Sequence, residues 1–481
     1  MWVRLLKNNF IYAIGSVANS SALFLLIPFL VNNLSPAEYG AWSIYEIVIL
    51  LLSILIAAGM DIGLMREYWF LENDLERGRL SGTVLIMVTI WGFTLFCITI
   101  MGYWLINRSP IFTRLHLDVF PPNSLSLVYL IGFSETLFSV LLAIYRIREQ
   151  AVHYVVFSVG KMILFLVCAI LGVRLTGNIN GALAGRLLAA MLGIFGASVL
   201  IFHSVSLVFD WNHLKRVLRY GLPLIPANLS SYILLSSDRY ILTATSTLPI
   251  VATYSFAYKI ASGLDVLISR PFATDWAARR YRIATQEDAQ TKYADVFIVY
   301  LFISSFAVSG LIALLPIIYK WIAPVSYFEG MRILPILLFA IQIFGLSNPL
   351  NVGLVIKDMT STVAKVGILS AFFCIAIELW LIPHFGMAGA AWSTLLSYVI
   401  WTGGVTILSL HVYPIRYNLG KIITICFASV IGYIGLNWIL QSLSNPSIGS
   451  LLVSLSWLAF VYGITGLTLI RKSPAKVPSK A

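Results

Sequence analysis

Apolar residues run along this chain in blocks of about 20, broken by short polar turns, with no sustained period-two alternation. Blocks of that length cross the hydrocarbon core of a bilayer as helices, so the pattern predicts an all-α integral membrane protein. A transmembrane barrel would show alternating segments of about ten residues instead. Spans are predicted at 10 to 31, 41 to 65, 81 to 106, 124 to 145, 153 to 173, 180 to 203, 220 to 243, 250 to 271, 294 to 316, 333 to 356, 362 to 382, 387 to 410, 419 to 441 and 448 to 470. That makes about 14 transmembrane helices.

Composition agrees: 59% of the 481 residues are hydrophobic and 11% are charged, which excludes a soluble domain of ordinary surface-to-core ratio. The net charge of +12 is read from its distribution along the chain. Of 32 Lys and Arg, 22 fall in one alternate set of loops, from Arg4 and Lys7 to Lys480, and five fall in the other set, Arg108, Arg114, Arg174, Lys320 and Arg332. Positive loops stay in the cytoplasm, so both termini are expected there. No soluble basic domain exists to bind nucleic acid. The first apolar block is too long for a signal peptide and lacks a small-x-small cleavage site. Cys97, Cys168, Cys374 and Cys426 sit in apolar blocks without CxxC spacing and read as core residues, with no metal or disulfide expected.

WNHLKRVLR, residues 211 to 219, places Leu214, Val217 and Leu218 on one helical face opposite Lys215, Arg216 and Arg219. Such a segment is expected to lie along the inner membrane surface, bases toward anionic headgroups, and to link two halves. An internal repeat supports halves. NINGALAGRLLAAM at 178 to 191 matches FGMAGAAWSTLLSY at 385 to 398 with Gly181 on Gly389, and LSPAEYGAWSIYEI at 34 to 47 loosely matches TLPIVATYSFAYKI at 247 to 260 with Pro36 on Pro249. The offsets, 208 and 213, predict two parallel six-helix lobes related by a pseudo-two-fold axis along the membrane normal, plus two C-terminal helices. The expected organisation is an N-lobe over 1–203, an amphipathic linker over 204–219, a C-lobe over 220–411, and two further spans with a basic tail over 412–481.

No Walker A, GxSxG, HExxH or CxxC motif occurs, and the longest external loop, about Asn107 to Asn123, is too short for a catalytic domain. The chain is therefore expected not to be an enzyme. His116, His153, His203, His213, His384 and His411 cluster at span ends or in loops, where interfacial placement is expected.

What remains is charge inside the spans. The bases are Lys161, Arg186, Arg239 and Lys259, with Arg270 nearer the cytoplasmic end, and the acids are Glu46, Glu135, Asp238, Asp265 and Glu378. The stretch from Arg219 to Trp276 alone holds Asp238, Arg239, Lys259 and Asp265 in two spans. An intramembrane charge costs about 2.5 to 3.5 kcal/mol on insertion scales and persists where it meets a partner or a wet cavity. Two readings are open. The bases line a path for an anionic, phosphate-bearing cargo, or they pair with Glu135, Asp238 and Asp265 to lock helices together. The acids, Glu46, Glu135, Asp238 and Asp265, are candidates for ion coupling or for cavity salt bridges. Pro28, Pro335 and Pro349 can bend helices, whereas Pro223 and Pro226 fall in a first turn that accommodates them. Asn19, Asn228 and Asn348 suit interhelical hydrogen bonds or sugar contacts.

LSPAEYGAWSIYEIV at 34 to 48, RYGLPLIPANLSSYILLSSDRYIL at 219 to 242, YSFAYKI at 254 to 260 and IPHFGMAGAAWSTLLSYVI at 382 to 400 resemble recurring segments of bacterial polysaccharide-biosynthesis flippases. Their superfamily also holds the multidrug and toxin extrusion transporters. The resemblance covers spans one to twelve and implies two lobes with a cavity between them. It implies a polyprenyl-pyrophosphate-linked oligosaccharide moved from the inner to the outer leaflet of the cytoplasmic membrane by alternating access, for O-antigen, capsule or exopolysaccharide. It places Lys161, Arg186, Arg239 and Lys259 on the pyrophosphate and acidic sugars. It further implies proton or sodium coupling without a cofactor, contact with membrane lipids, and partnership with polymerase and chain-length machinery. The alternatives are a drug or cation exporter of the sister family, which would want acids and aromatics in its cavity, and a membrane enzyme of glycan assembly, which would need larger loops.

Overall fold

The computed structural model describes residues 24–106, 121–201, 205–442 and 448–471, and every regular element among them is helical. The first half of predicted span one with Arg4, Lys7 and Asn19, the loop positions Arg108, Arg114 and His116, His203, and the tail from Lys472 lie outside the described residues. Helix α1 covers Phe24–Asn33. Helix α2, Pro36–Ala57, starts where Ser-Pro-Ala-Glu writes a capping box: Ser35 accepts the Glu38 amide and Glu38 returns to the Ser35 amide at 3.0 Å.

Predicted span two, 41 to 65, is not one helix. Ala58 and Gly59 turn left-handed, φ 46° and 71°, and α3, Met60–Glu67, leaves at a new angle. The cause is tertiary. A Cβ on Gly59 would stand 2.3 Å from the carbonyl oxygen of Gly221, so the crossing takes two bare backbones. Next come α4, Asp74–Ile106, α5, Pro122–Ile147, α6, Ala151–Thr176, and α7, Ile179–Ile201.

Amphipathic α8, Trp211–Gly221, is capped by Asp210, which accepts the amides of Asn212 and His213. Those bonds to Asn212, then His213, hold the Asp210 carboxyl below its ordinary range. The apolar face of α8 turns into the protein, where Leu214 and Val217 join Ile56, Met60 and Leu64 in one core. Lys215, Arg216 and Arg219 stay exposed, as the pattern required, but His213 is buried against the bundle with Nδ1 2.8 Å from Arg216 Nη2.

Beyond it run α9, Ile225–Thr245, α10, Leu248–Leu264, a π-turn over Asp265–Ser269, and α11, Arg270–Ala284. The remaining helices are α12, Ala289–Ile322, α13, Gly330–Leu350, α14, Val352–Ile356, α15, Thr360–Val412, α16, Leu419–Ser442, and α17, Ile448–Arg471. Ten helices among the described residues are long and apolar enough to cross a membrane. One of them, the 53-residue α15, would run about 80 Å if straight, and its break at Gly386 (φ 54°, ψ −131°) divides it in two. With α1, α9 and α10, which are short or carry charge, helix is found in the described part of each of the fourteen predicted spans.

The described residues within Met1–Ser255 and Gly367–Ala390 form one compact unit, and those within Phe256–Val366 and Ala391–Ala481 form a second. In the first, α6 and α7 close into a hairpin on glycine. A Cβ at Gly181 would meet the Gly172 carbonyl oxygen at 2.2 Å, and one at Gly185 would meet Cys168 O at 2.3 Å. A Cβ at Gly389, the repeat partner of Gly181, would likewise meet Leu381 O at 2.2 Å. Close backbone approach is the physical content of that sequence match. Gly181→Val is therefore expected to abolish monodisperse protein in size-exclusion chromatography, whereas valine at Gly102, with no atom within 4 Å of its added Cβ, leaves the profile unchanged. In the second unit a polar seam ties the last helices to α12: Gln342 donates to Ser304 and Ser305, and Tyr462 bonds Ser309, Ser429 and the Ser305 carbonyl.

Candidate functional site

Of the four candidate bases, Lys161, Arg186, Arg239 and Lys259, and the four candidate acids, Glu46, Glu135, Asp238 and Asp265, six lie in the first unit, in two groups. The first group is built by α2, α5, α6 and α7. Away from their ends, where Glu38, Arg146 and Arg174 lie, these helices carry charge only at Glu46, Glu135, Lys161 and Arg186. Arg186 meets Glu135 along one edge of its guanidinium, Nε donating to Oε1 at 2.9 Å and Nη2 to Oε2 at 3.2 Å. That planar match is the geometry guanidinium uses for carboxylate and phosphate alike. Lys161 Nζ reaches the same Oε1 at 3.4 Å.

Glu46 completes the set from α2, its Oε1 3.9 Å from Arg186 Nη1, within ion-pair range but beyond hydrogen-bond length. Neither of those two buried atoms has a hydrogen bond among the described residues. Aromatic rings wall the cations: Arg186 lies 5.5 Å from the Phe165 centroid and 5.8 Å from that of Trp42, and Lys161 lies 5.2 Å from that of Phe138. Two bases and two acids balance. The four side chains keep 11 to 21% of their surface accessible, so the group borders open volume and is not sealed in a core.

The second group joins α9, α10 and α15. Asp238 and Arg239 are adjacent, with Arg239 Nε donating to Asp238 Oδ1 at 3.3 Å, and Tyr254 donates its hydroxyl to Asp238 Oδ2. Arg239 Nη2 also donates to the Leu235 carbonyl. The pair is buried, 3% and 8% exposed. Beside it stands Glu378, 1% exposed, which accepts from the Cys374 thiol at 3.2 Å. Its charged neighbours are Asp238 and Arg239. Glu378 Oε2 has no hydrogen bond among the described residues. Two buried carboxyls, Asp238 and Glu378, thus stand beside the guanidinium of Arg239.

By sequence Glu378 is one of the intramembrane acids but not one of the coupling candidates. The sequence does carry a mark: no basic residue lies within four positions on either side of it, so its partner had to come from another helix.

The remaining two candidates lie in the second unit. Lys259 is half-buried on α10. Asp265 opens the π-turn and pairs with Arg270 at 2.8 Å, their side chains 29% and 56% exposed. The extra residue of a π-turn rotates the helix beyond it, and here it puts Asp265 and Arg270 side by side at the helix edge.

A family model described as polysaccharide biosynthesis protein matches residues 5–274. No curated protein sequence matches at a significant level. Among solved structures, the chain is similar to the lipid II flippase MurJ in an inward closed conformation, with a TM-score of 0.72 at 14% identity over 98% of each chain. It is similar to an inward-facing multidrug resistance MATE family transporter of the MOP superfamily, with a TM-score of 0.63 at 16% identity, covering 85% of this chain and 97% of that one. Vibrio cholerae MATE transporter VcmN in its bent form has a TM-score of 0.53 at 12% identity, covering 85% and 96%. At such identities these likenesses establish the fold.

Proposed function

The chain belongs to the polysaccharide biosynthesis protein family, as a multi-pass membrane protein of transporter type, and from that premise we propose that it is a lipid-linked oligosaccharide flippase. It carries polyprenyl-pyrophosphate-linked repeat units from the inner to the outer leaflet of the bacterial cytoplasmic membrane by alternating access, with both termini in the cytoplasm. Its products feed O-antigen, capsule or exopolysaccharide assembly, where polymerase and chain-length machinery are the partners.

The observation that carries this reading is the Arg186 group. A guanidinium already bound edge-on by a carboxylate is preorganised for a pyrophosphate oxygen pair, and Lys161 adds a second cation to the same oxygen. Cargo exchanges with Glu135, which keeps both bases compensated when the site is empty. Half-buried Lys259 is the base assigned to the cargo in the second unit. Asp238, with Glu378, supplies the coupling: two buried carboxyls side by side take up a proton or sodium ion, and Arg239 anchors the pair. Glu46 and Asp265 act as salt-bridge partners of Arg186 and Arg270.

A second reading, an ion-coupled exporter of small organic molecules, rests on the likeness to the MATE family transporters. One assay separates them. Purified protein in proteoliposomes is expected to move a fluorescent polyprenyl-pyrophosphate glycan to the opposite leaflet, scored by glycan accessibility to an added enzyme. Transport of organic cations with no glycan flipping would replace the first reading by the second.

A further inference from the structure

A cavity of about 740 Å³ opens at one end of the first unit, away from both charge groups. Its walls come from the start of α4, the turn between α5 and α6, and the strap that leads into α8. The strap is held hard against α4: the Ser206 amide donates to Gly78 O at 3.2 Å, Thr83 donates to Val208 O at 3.1 Å, and a Cβ at Gly82 would stand 1.9 Å from Ser206 O. On the opposite wall, Arg148 and Glu149 sit on a tight helix-ending turn, with Glu149 left-handed at φ 55° and the Gln150 amide bonded back to Tyr145 O. A non-glycine residue in that conformation is costly and is retained where the turn must present its side chains in one place.

Four charged side chains line the space, Asp74, Arg77, Arg148 and Glu149. Arg77 is fixed by its Nε bond to Leu71 O at 2.9 Å and by Asp74 at 3.2 Å, with its guanidinium 5.2 Å from the Tyr68 ring and 5.9 Å from that of Trp69. Around the mouth Trp69, Phe70, Leu75 and Leu207 are all more than half exposed. Exposed aromatic and apolar side chains beside charged ones, at the point where α4 passes from a charged first turn to an apolar run, mark headgroup depth in a bilayer.

Charge balance selects the occupant. A purely anionic headgroup would face Asp74 and Glu149, and a purely cationic one would face Arg77 and Arg148. A group that carries both signs a few ångströms apart meets both pairs. We infer that this cavity is a binding site for a zwitterionic phosphoethanolamine lipid headgroup, with phosphate toward Arg77 and Arg148 and ammonium toward Asp74 and Glu149. The acyl chains run out past Trp69 and Leu207 into the leaflet. The ammonium donates hydrogen bonds to the carboxylates, which a trimethylated choline cannot do. The proposal does not depend on the cargo the protein carries.

The test titrates the purified full-length chain, stripped of lipid in detergent, with phosphatidylethanolamine, phosphatidylglycerol and phosphatidylcholine in mixed micelles, and follows binding by native mass spectrometry and thermal unfolding. Phosphatidylethanolamine is expected to bind about tenfold tighter than the other two, the worth of one charge-assisted hydrogen bond. Glu149→Gln is expected to erase that preference while phosphatidylglycerol still binds, and Arg148→Gln to weaken both. Should a substitution in the turn prevent folding, Asp74→Asn serves in its place, since that side chain is 93% exposed. Phosphatidylglycerol binding as tightly as phosphatidylethanolamine, or a preference that survives both Glu149→Gln and Asp74→Asn, would overturn the assignment. Equal competition by soluble glycerophosphoethanolamine would remove the lipid from it.

Discussion

Replacement of Glu135 by alanine is expected to lower the stability of the folded protein by about 3 to 5 kcal/mol, the usual cost of removing one partner from a buried ion group. The loss strands two cations at once, because Arg186 and Lys161 share the same carboxylate oxygen. Glu46 cannot take over, since it stands 3.9 Å from Arg186 Nη1 and on the other side of the guanidinium. Unfolding in detergent by denaturant titration reads this directly.

The informative companion is the quadruple variant Glu46→Leu, Glu135→Leu, Lys161→Met and Arg186→Met, in which both carboxylates and both cations become apolar together. Apolar replacement of a whole buried ion group is often neutral for stability. Folded protein is therefore expected to return, while glycan flipping in proteoliposomes stays lost. If the quadruple variant flips at the rate of the unaltered protein, the Arg186 group is structural and the anion path fails.

Glu378→Gln is expected to leave the protein folded and yet cut the stimulation of transport by an ion gradient. The amide keeps the shape of the carboxyl and an acceptor for the Cys374 thiol at 3.2 Å, but it cannot exchange a cation. Typical coupling energies put the loss at roughly 5- to 150-fold. Asp238→Asn is expected to uncouple in the same way, with an added stability loss, because the guanidinium of Arg239 then faces a neutral amide in place of a carboxylate. Flipping with and without an imposed proton or sodium gradient separates the two effects. Undiminished gradient stimulation in both variants would exclude this pair from coupling.

Much of the architecture was legible in the sequence, because the bilayer reads the chain through a window of about 20 residues. Ser35 to Glu38 marked the start of α2 by a capping box that needs only local chemistry. Gly181 and Gly389, aligned by the repeat, both sit where an added Cβ would meet a backbone carbonyl oxygen at 2.2 Å. The break of predicted span two was hidden, since nothing near Ala58 and Gly59 requires a left-handed turn until Gly221 arrives against it from far along the chain. The same holds for His213, an interfacial residue by position, which α8 turns inward along with Leu214 and Val217.

The candidate charges divide along the same line. That Glu46, Glu135, Lys161, Arg186, Asp238, Arg239 and Glu378 need partners was implied by their place in apolar spans. Which partner each one takes was not, since Arg186 is 51 positions from Glu135 and Glu378 reaches the neighbourhood of Asp238 only when α15 packs beside α9. Asp265 falls inside a predicted span like Glu135, and the π-turn gives it Arg270 at an exposed edge. The sequence by itself determined an all-helical membrane protein, its fourteen spans and its stock of intramembrane charge, because partition into a bilayer depends on local hydrophobicity. Only the tertiary structure decided how those charges are grouped, because a low-dielectric interior pairs them by helix contact, and distance along the chain does not encode that.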